Sequence, residues 1–324
     1  MTRTHRPPLL SPHLALLFLL LQFLLPSPAP AATAQDPART SPAPRATTLA
    51  TYNAKWMLDA FDDPYTADEE FEPKPKEALA ALARVVRSLD ADVVALQEVE
   101  NEGLLRSFVA EHLSDSGYRF VVAPPTNSGR GQNVGLLSRL PVRSVTSHRF
   151  RPLRLDGEPG REWRFARDLL RVELETPAGR PLVVFVAHLK SQRSDGGDER
   201  SERWRLAEAR EARRVVEAEL ARDPRAWVAV LGDLNDRPGS APVEALLGAG
   251  LSDVHAALPP DTRVTYLEEP YRGTIDYVLA SPALARRLVP GTARTLDGDG
   301  LLAASDHAPV AAAFSLEGGE GKER

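Results

Sequence analysis

The 324 residues contain no cysteine. That absence excludes disulfides, thiolate zinc sites and a cysteine nucleophile together, and with them a lipobox cysteine and its lipid anchor. An excess of basic charge is missing too: 40 Lys and Arg stand against 45 Asp and Glu, a formal net charge of −5. Proteins that hold nucleic acid through bulk charge are usually basic. That mode is disfavoured, while an enzyme that touches nucleic acid briefly is not. There is no internal repeat, and no linker divides Thr47 to Leu316, so residues 47–316 are expected to form one domain. Residues 35–46, rich in Pro, Ala, Ser and Thr, are expected to be a disordered leader, and residues 317–324 a polar tail.

The first residues resemble an export signal. Arg3 and Arg6 give a positive start, Leu14 to Leu25 is an apolar run broken only by Gln22, and Ala32-Thr33-Ala34 offers a small-x-small cleavage site before Gln35. The run is short for a membrane span, which needs about 20 apolar residues, and Pro26, Pro28 and Pro30 follow it. A signal peptide over residues 1–34 is expected, with a secreted or periplasmic mature chain. Loss of Arg3 and Arg6 would leave that chain more acidic still.

From Thr47 onward the pattern alternates strands and helices. Strands are expected at Thr48–Tyr52, Asp92–Leu96, Tyr118–Val122, Val134–Ser138, Trp227–Gly232, Ile275–Ala280 and Ala308–Phe314. Arg164–Glu175 and Pro181–His188 read as a hairpin about Pro177-Ala178-Gly179. Helices are expected at Lys76–Leu89, with Leu79, Leu82, Val86 and Leu89 on one face, at Asn101–Leu113, and at Glu202–Leu220, with a buried stripe of Leu206, Ala209, Val216 and Leu220. Helices between strands of mixed pairing imply an α/β sandwich.

Five polar clusters are expected at the C-terminal ends of apolar strands, where open α/β sheets place ligands. They are Asn53, Gln97-Glu98, His188-Leu189-Lys190-Ser191, Gly232-Asp233-Leu234-Asn235 and Ser305-Asp306-His307, with Asp276 as a related aspartate. Each alone has an ordinary structural explanation. Asn53 can close a strand, Asp233 and Asn235 can cap a turn, and His188 can be a satisfied core histidine. Together they match one chemistry. Cleaving a phosphodiester needs a cation on a phosphate oxygen, a base for water, and donors for the charge that develops. Glu98, Asp306 and Asn53 are hard oxygen ligands suited to Mg²⁺, Mn²⁺ or Ca²⁺. Asp233 can deprotonate or orient water, Asn235 can donate to a phosphate oxygen, and His188 and His307 titrate near neutrality.

This ordered set resembles the endonuclease/exonuclease/phosphatase superfamily, its GDxN and C-terminal SDHxPV motifs standing in the family's order across Thr47 to about Phe314. The resemblance implies a four-layer sandwich of two mixed β-sheets flanked by helices. It implies Glu98 as main metal ligand with Asn53 and Asp306 nearby, and Mg²⁺ as the expected ion. Asp233 and Asn235 would sit at the attacking water and the phosphate, His307 backed by Asp276 at the scissile phosphate, and His188 as the second histidine of the deoxyribonuclease I-like branch. It also implies Arg167 and Lys190 on substrate phosphate, and Asn133 as a polar partner near the second histidine on that side of the site.

Within the superfamily, His188 argues against an exonuclease III-like relative, and Tyr271-Arg272-Gly273 stands where inositol 5-phosphatases carry Trp-Cys-Asp-Arg. The loop Ser191 to Arg203 is polar and charged where sphingomyelinase-like members carry apolar loops, so no stable membrane association is expected, and nothing in the sequence implies a protein partner. The chain is expected to be nearest to secreted bacterial nucleases of the group, with nucleic acid as substrate. The alternative is a phosphatase or phospholipase-type esterase on a small molecule or lipid headgroup. A non-catalytic binding protein on the same fold is disfavoured by how fully the polar positions are filled.

Overall fold

A computed structural model describes residues 45–316 except 159, 161, 194–196 and 299. The expected signal peptide (1–34), nearly all of the leader (35–46) and the tail (317–324) lie outside the described residues.

Two six-stranded mixed sheets form the centre. The first runs β11 (Arg294–Thr295), β12 (Val310–Phe314), β1 (Thr47–Met57), β2 (Val93–Val99), β4 (Asn133–Ser138), β3 (Phe120–Val122). The second runs β5 (Val142–Ser147), β6 (Leu169–Glu175), β7 (Pro181–His188), β8 (Trp227–Asp233), β10 (Asp276–Ala280), β9 (Ser252–Asp253). The helices are α1 (Lys76–Leu89), α2 (Glu102–His112), α3 (Glu202–Arg222), α4 (Ala241–Leu247), α5 (Pro282–Ala285) and α6 (Leu301–Ala304).

The layering follows from the period of two along each strand. Leu49, Val93, Ala95 and Leu136 of the first sheet meet Val172, Val184, Val186 and Leu231 of the second in one buried cluster. On the outer face Ala50, Tyr52, Val94 and Leu96 join Leu82, Val86 and Leu89 of α1 and Phe108 of α2. Phe185, Val228, Val230 and Tyr277 join Ala209, Val216 and Leu246 of α3 and α4. Helix, sheet, sheet, helix is the four-layer sandwich.

Helix α1 has the expected bounds and ends where Asp90 turns left-handed at φ 43°. Helix α2 starts on Asn101, whose side chain accepts the Leu104 N–H at 2.8 Å, an N-cap that commonly contributes ~1 kcal/mol.

Four differences from the expectation matter. The first hairpin strand begins at Leu169, not Arg164, leaving Arg167 in irregular chain. Asp276 opens β10, and Ser305-Asp306-His307 precede β12 instead of following a strand. Because β10 runs antiparallel to β8 and β12 antiparallel to β1, their N-terminal ends reach the sheet edge where β1, β2, β7 and β8 finish. On α3, Ala209 and Val216 are buried but Leu206 and Leu220 only partly, and the buried face also carries Arg205, Glu208 and Glu211. Strands β5, β9 and β11 and helices α4, α5 and α6 were not expected. All six are short, and β5 is exposed along most of its length, so it carries no apolar alternation.

Register sets the site. His188 pairs with Asp233 between parallel β7 and β8, and Asp276 pairs with Asp233 between antiparallel β10 and β8. Three functional groups therefore stand in one row across three strands. Gly232, at φ 150°, permits this, since a Cβ there would lie 1.9 Å from the Ala187 carbonyl oxygen.

Candidate active site

The first sheet contributes Asn53, Glu98, Asp306 and His307. The second contributes His188, Asp233, Asn235 and Asp276. Bonds between the sheets join the two sets. Asn53 Nδ2 donates to Asp233 Oδ2 at 3.1 Å, and His307 Nδ1 lies 2.9 Å from Asp276 Oδ2. Ser305 Oγ donates to the Asn53 carbonyl at 2.7 Å and accepts the His307 N–H at 3.1 Å, which fixes the His307 segment against β1. His188 Nε2 is 3.6 Å from Asp233 Oδ2 and 4.0 Å from Glu98 Oε1, and His307 Nε2 is 3.9 Å from Asp233 Oδ2. The sandwich thus brings together Asn53, Glu98, His188, Asp233, Asp276, Asp306 and His307.

Backbone strain is concentrated in the same place. Glu98 (φ 61°), Lys55 (φ 44°), Trp56 (φ 50°) and Asn235 (φ 52°) are left-handed without being glycine. Glu98 lies where the pairing of β2 with β4 shifts register, a bulge that redirects its side chain. Asn235 closes a turn in which its N–H donates to Asp233 Oδ1 at 2.8 Å, and its Nδ2 donates to the Leu189 carbonyl at 3.0 Å. One amide N–H of Asn235 is thus committed to a loop, and the second is left for a ligand.

Protonation follows from burial and pairing. At His307 burial disfavours the charged ring, but the charge and hydrogen bond of Asp276, with Asp233 and Asp306 adding, together outweigh it, and the ring is held up to about 10, which favours the imidazolium at neutral pH. Burial, then the Asp276 charge, pushes Asp233 up to about 7. Burial and the neighbouring Arg167 and His307 charges keep His188 well below the usual histidine range, and its Nδ1 has no hydrogen-bond partner.

Asp62, Asp68 and Glu69 form one group with metal-ligand spacing, and two further sets with the spacing or chemistry of a metal site lie among the candidate site residues. Ligand atoms of Asp233, Asp276 and His307 lie within 4.8 Å of one another. In that set His307 Nδ1 is committed to Asp276, which leaves Nε2 as the ring's one free nitrogen. The expected set has the donor chemistry for a metal site. Glu98 Oε2 accepts the Trp56 N–H at 3.0 Å, and among the described residues Oε1 has no hydrogen-bond donor. Glu98 and Asp306 are 13% and 15% exposed, partly open to the cleft. With the Asn53 amide oxygen they form a hard donor set for a divalent cation. Lys55 was not expected here. Its ammonium is 3.0 Å from Asp306 Oδ2 and 3.1 Å from Glu268 Oε1.

The residues match the Endonuclease/Exonuclease/phosphatase family over positions 50–307. The chain belongs to that family. Membership makes it a metal-dependent hydrolase of phosphate ester bonds. The human Nocturnin catalytic domain, solved with a bound sulfate anion, superposes with a TM-score of 0.61 at 18% identity, over 83% of this chain and 94% of that one. An endonuclease/exonuclease/phosphatase from Beutenbergia cavernae gives 0.59 at 22% identity, over 85% and 72%. TDP2 from D. rerio, complexed with single strand DNA product, gives 0.55 at 18% identity, over 83% and 98%. The inositol phosphosphingolipids phospholipase C of Saccharomyces cerevisiae is 30% identical over 172 residues, 51% of this chain and 34% of that protein, so the chain spans about a third of that relative's length.

The groups expected on substrate phosphate divide. Arg167 is 5% exposed and donates to the Leu189 carbonyl at 3.3 Å, with no carboxylate in ion-pair range among the described residues. Lys190 lies beside it, its ammonium 5.3 Å from the Trp204 ring centre. Asn133 is a correction. Its Nδ2 donates to the Glu100 carbonyl, and its Oδ1 accepts from Thr126 N and Oγ1 at 3.1 and 2.5 Å, so among the described residues its bonds brace a loop and none of them reaches His188.

Sequence reasoning missed the buried polar face of α3. Glu208, fully buried, accepts the Ala166 N–H and the Lys190 N–H, each at 2.6 Å. Arg205, 2% exposed, donates to Asp236 at 2.9 Å and to the carbonyls of Lys190 and Arg200 at 3.2 and 2.9 Å. One helix turn clamps the loops bearing Arg167, Lys190 and Asn235. The sequence signal was a pair of charges three apart among buried alanines, readable only once the helix face is known.

Two outcomes are expected. His307→Ala should lower kcat on a diester by about 10²–10⁴-fold, and Asp276→Asn by less, since it removes the ring's partner and not the ring. Thermal melting measured beside turnover checks this. Variants that melt far lower yet turn over normally per folded molecule would make both residues structural. Glu208→Gln sets an NH₂ against a backbone N–H and should cost about 1–3 kcal/mol while lowering kcat/KM through misplaced Arg167 and Lys190. Burial pushes the Glu208 carboxyl from 4.5 up to about 7, so between those values the native state holds a proton that the unfolded chain has lost. Stability from this group falls as pH rises through that window. The stability deficit of Glu208→Gln should therefore shrink between the acidic and alkaline ends of the window. A constant Tm difference across it would show that Glu208 does not titrate there.

Proposed function

We propose that this chain is an exported nuclease that hydrolyses phosphodiester bonds of DNA or RNA by direct attack of water on phosphorus, with Mg²⁺ as its metal. The observation that carries the reading is the inter-sheet arrangement of a proton-holding His307, a buried Asp233 held near neutrality, and an oxygen donor set beside them.

Asp233, up to about 7 through burial and Asp276, is matched to taking a proton from water at neutral pH. As the water oxygen bonds to phosphorus and the ester P–O bond breaks, negative charge grows on the phosphoryl oxygens. His307 holds a proton on Nε2 for that charge or for the departing oxygen, and Asp276 fixes the ring through Nδ1. His188 stays neutral beside Asp233, so it adds no further buried cation to those of His307 and Arg167. Arg167 presents a guanidinium without a carboxylate partner, the geometry that suits a planar fork of phosphate oxygens. A divalent cation, when bound at Glu98, Asn53 and Asp306, supplies Lewis-acid polarisation of a phosphate oxygen.

Nucleic acid as substrate draws support from the single strand DNA product in D. rerio TDP2. The inositol phosphosphingolipid phospholipase relative favours a second reading, a phospholipase C-type esterase on an anionic headgroup. Among the described residues no helix is long and apolar enough to cross a membrane. Export rests on Arg3, Arg6, the Leu14–Leu25 run and Ala32-Thr33-Ala34.

EDTA should abolish hydrolysis of bis(p-nitrophenyl) phosphate, with Mg²⁺ or Mn²⁺ restoring it, and the restored enzyme should cut single-stranded DNA or RNA in preference to inositol phosphosphingolipid. Full activity after exhaustive chelation would remove the metal, and lipid-only cleavage would replace the nuclease reading with the second one. Mass spectrometry of the exported protein should find its N-terminus at or near Gln35. An intact Met1 on cytoplasmic protein would overturn export.

A further inference from the structure

A cleft of about 610 Å³ opens beside the catalytic row, beyond Arg167 and Lys190. Volumes of about 300–1,000 Å³ are typical of pockets that hold small organic ligands. Arg130, Arg164, Arg167 and Lys190 line it, against one acidic side chain, Glu162. On a chain whose net charge is −5, this wall carries the opposite sign.

Two of these cations lack a carboxylate. Among the described residues the Arg130 guanidinium has no hydrogen bond or ion pair, and it lies over the rings of Trp56 and Phe71 at 5.4 and 5.8 Å. Arg167, 95% buried, donates only to one carbonyl. The Arg130 charge opposes that of Arg167, and the carboxylates of Glu98, Glu208 and Asp233 act on Arg167 only from beyond ion-pair range. Partly desolvated like charges held together this way make a slot for an anion.

The walls are built, not loose. Asn127 Nδ2 donates to the Arg149 and Phe165 carbonyls at 2.6 and 2.8 Å, and its N–H donates to the Arg167 carbonyl at 3.2 Å. Across the cleft, the Trp204 indole N–H donates to the Arg164 carbonyl at 2.9 Å, and its ring meets Trp163 edge-on at 4.8 Å. The lining contains no Leu, Ile, Val or Met, which is poor ground for a lipid chain. Cations interleaved with an aromatic face are what a single-stranded nucleic acid uses, a phosphate to each cation and a base to the ring. A duplex keeps its bases stacked inward and has none to insert.

We propose that this cleft is a second subsite, holding the phosphate and base next to the scissile bond of a single-stranded nucleic acid. The proposal rests on the nuclease reading above and deepens it. Arg130 and Arg164 take the flanking phosphate, and Trp204 with Lys190 takes the base.

The test compares Arg130→Gln and Arg164→Gln with the parent enzyme on bis(p-nitrophenyl) phosphate, which fills only the catalytic row, and on a short single-stranded oligonucleotide over a range of salt. Both variants should keep turnover on the small diester. On the oligonucleotide kcat/KM should fall roughly tenfold each, and the log–log salt slope should become shallower by about 0.7 per lost phosphate contact. Arg164 is exposed and among the described residues pairs only with Glu162, so it tests the idea even if Arg130→Gln folds poorly, and melting curves separate the two effects. Unchanged kcat/KM on the oligonucleotide, or equal loss on both substrates, overturns the subsite. A parent enzyme that cleaves the diester but no oligonucleotide overturns the nuclease reading itself. If the variants instead lose only hydrolysis of inositol phosphosphingolipid in micelles, the cleft takes a headgroup and the proposal is wrong.

Discussion

The burial of Asp233 between two sheets is the constraint on which the rest depends. An isolated carboxylate at that depth is costly to ionise. It is tolerated because Asn53 reaches it from the other sheet and the charged ring of His307 lies 3.9 Å away. Asp276 and His307 make the same bargain across the same gap. No single sheet supplies a satisfied site. The groups become compatible only when the sandwich closes, so packing of Leu49, Val93, Val184 and Leu231 in the shared core also assembles the chemistry. The left-handed residues Glu98 and Asn235 fit this picture. Each such conformation costs of order 1 kcal/mol or more, and both sit where bonds to neighbouring strands or loops hold them in place.

Helix α3 extends that logic to the loops. A loop at a sheet edge carries backbone N–H and C=O groups that the ladder does not satisfy, and burying them unpaired is expensive. Ionised Glu208 has only acceptors and Arg205 only donors. At Lys190 they are complementary, since Glu208 takes its N–H and Arg205 gives to its C=O. Arg205 continues to Asp236, just past Asn235, and Glu208 continues to Ala166, just before Arg167. Replacing this face with alanine and leucine would pack well and still leave four loop groups without partners. The charges on α3 are therefore positioning residues for a site they do not touch.

Much of this was legible in the order of residues, and the reasons are specific. Asn53, Glu98, His188 and Asp233 each follow or end an apolar strand, so strand periodicity locates them. Asp276 and His307 open their strands instead, and only the antiparallel pairing of β10 and β12 brings them to the same edge. Direction of pairing is not written in a single strand's composition. The resemblance placed Asn133 near the second histidine, yet the hydrogen bonds of its amide run to Glu100 and Thr126. Hydrogen-bond partners distant in sequence decide such cases. The stripe on α3 was misjudged for a related reason. Leucine normally marks the buried side of a helix, and here a polar clamp displaces Leu206 and Leu220 toward the margin.

Net charge illustrates the difference between a sum and an arrangement. The acidic total weighed against nucleic acid, but an ion feels charges within about a Debye length, roughly 8–10 Å. Many of the carboxylates are already paired with arginine nearby: Glu211 with Arg151 and Arg214, Glu219 with Arg171 and Arg222, and Asp236 with Arg205. Such pairs contribute little field beyond their own neighbourhood. Arg130 and Arg167 have no carboxylate in ion-pair range, and both line the cleft that adjoins the catalytic row. The charged side chains lining that cleft, four cations against Glu162, are thus opposite in balance to the chain as a whole.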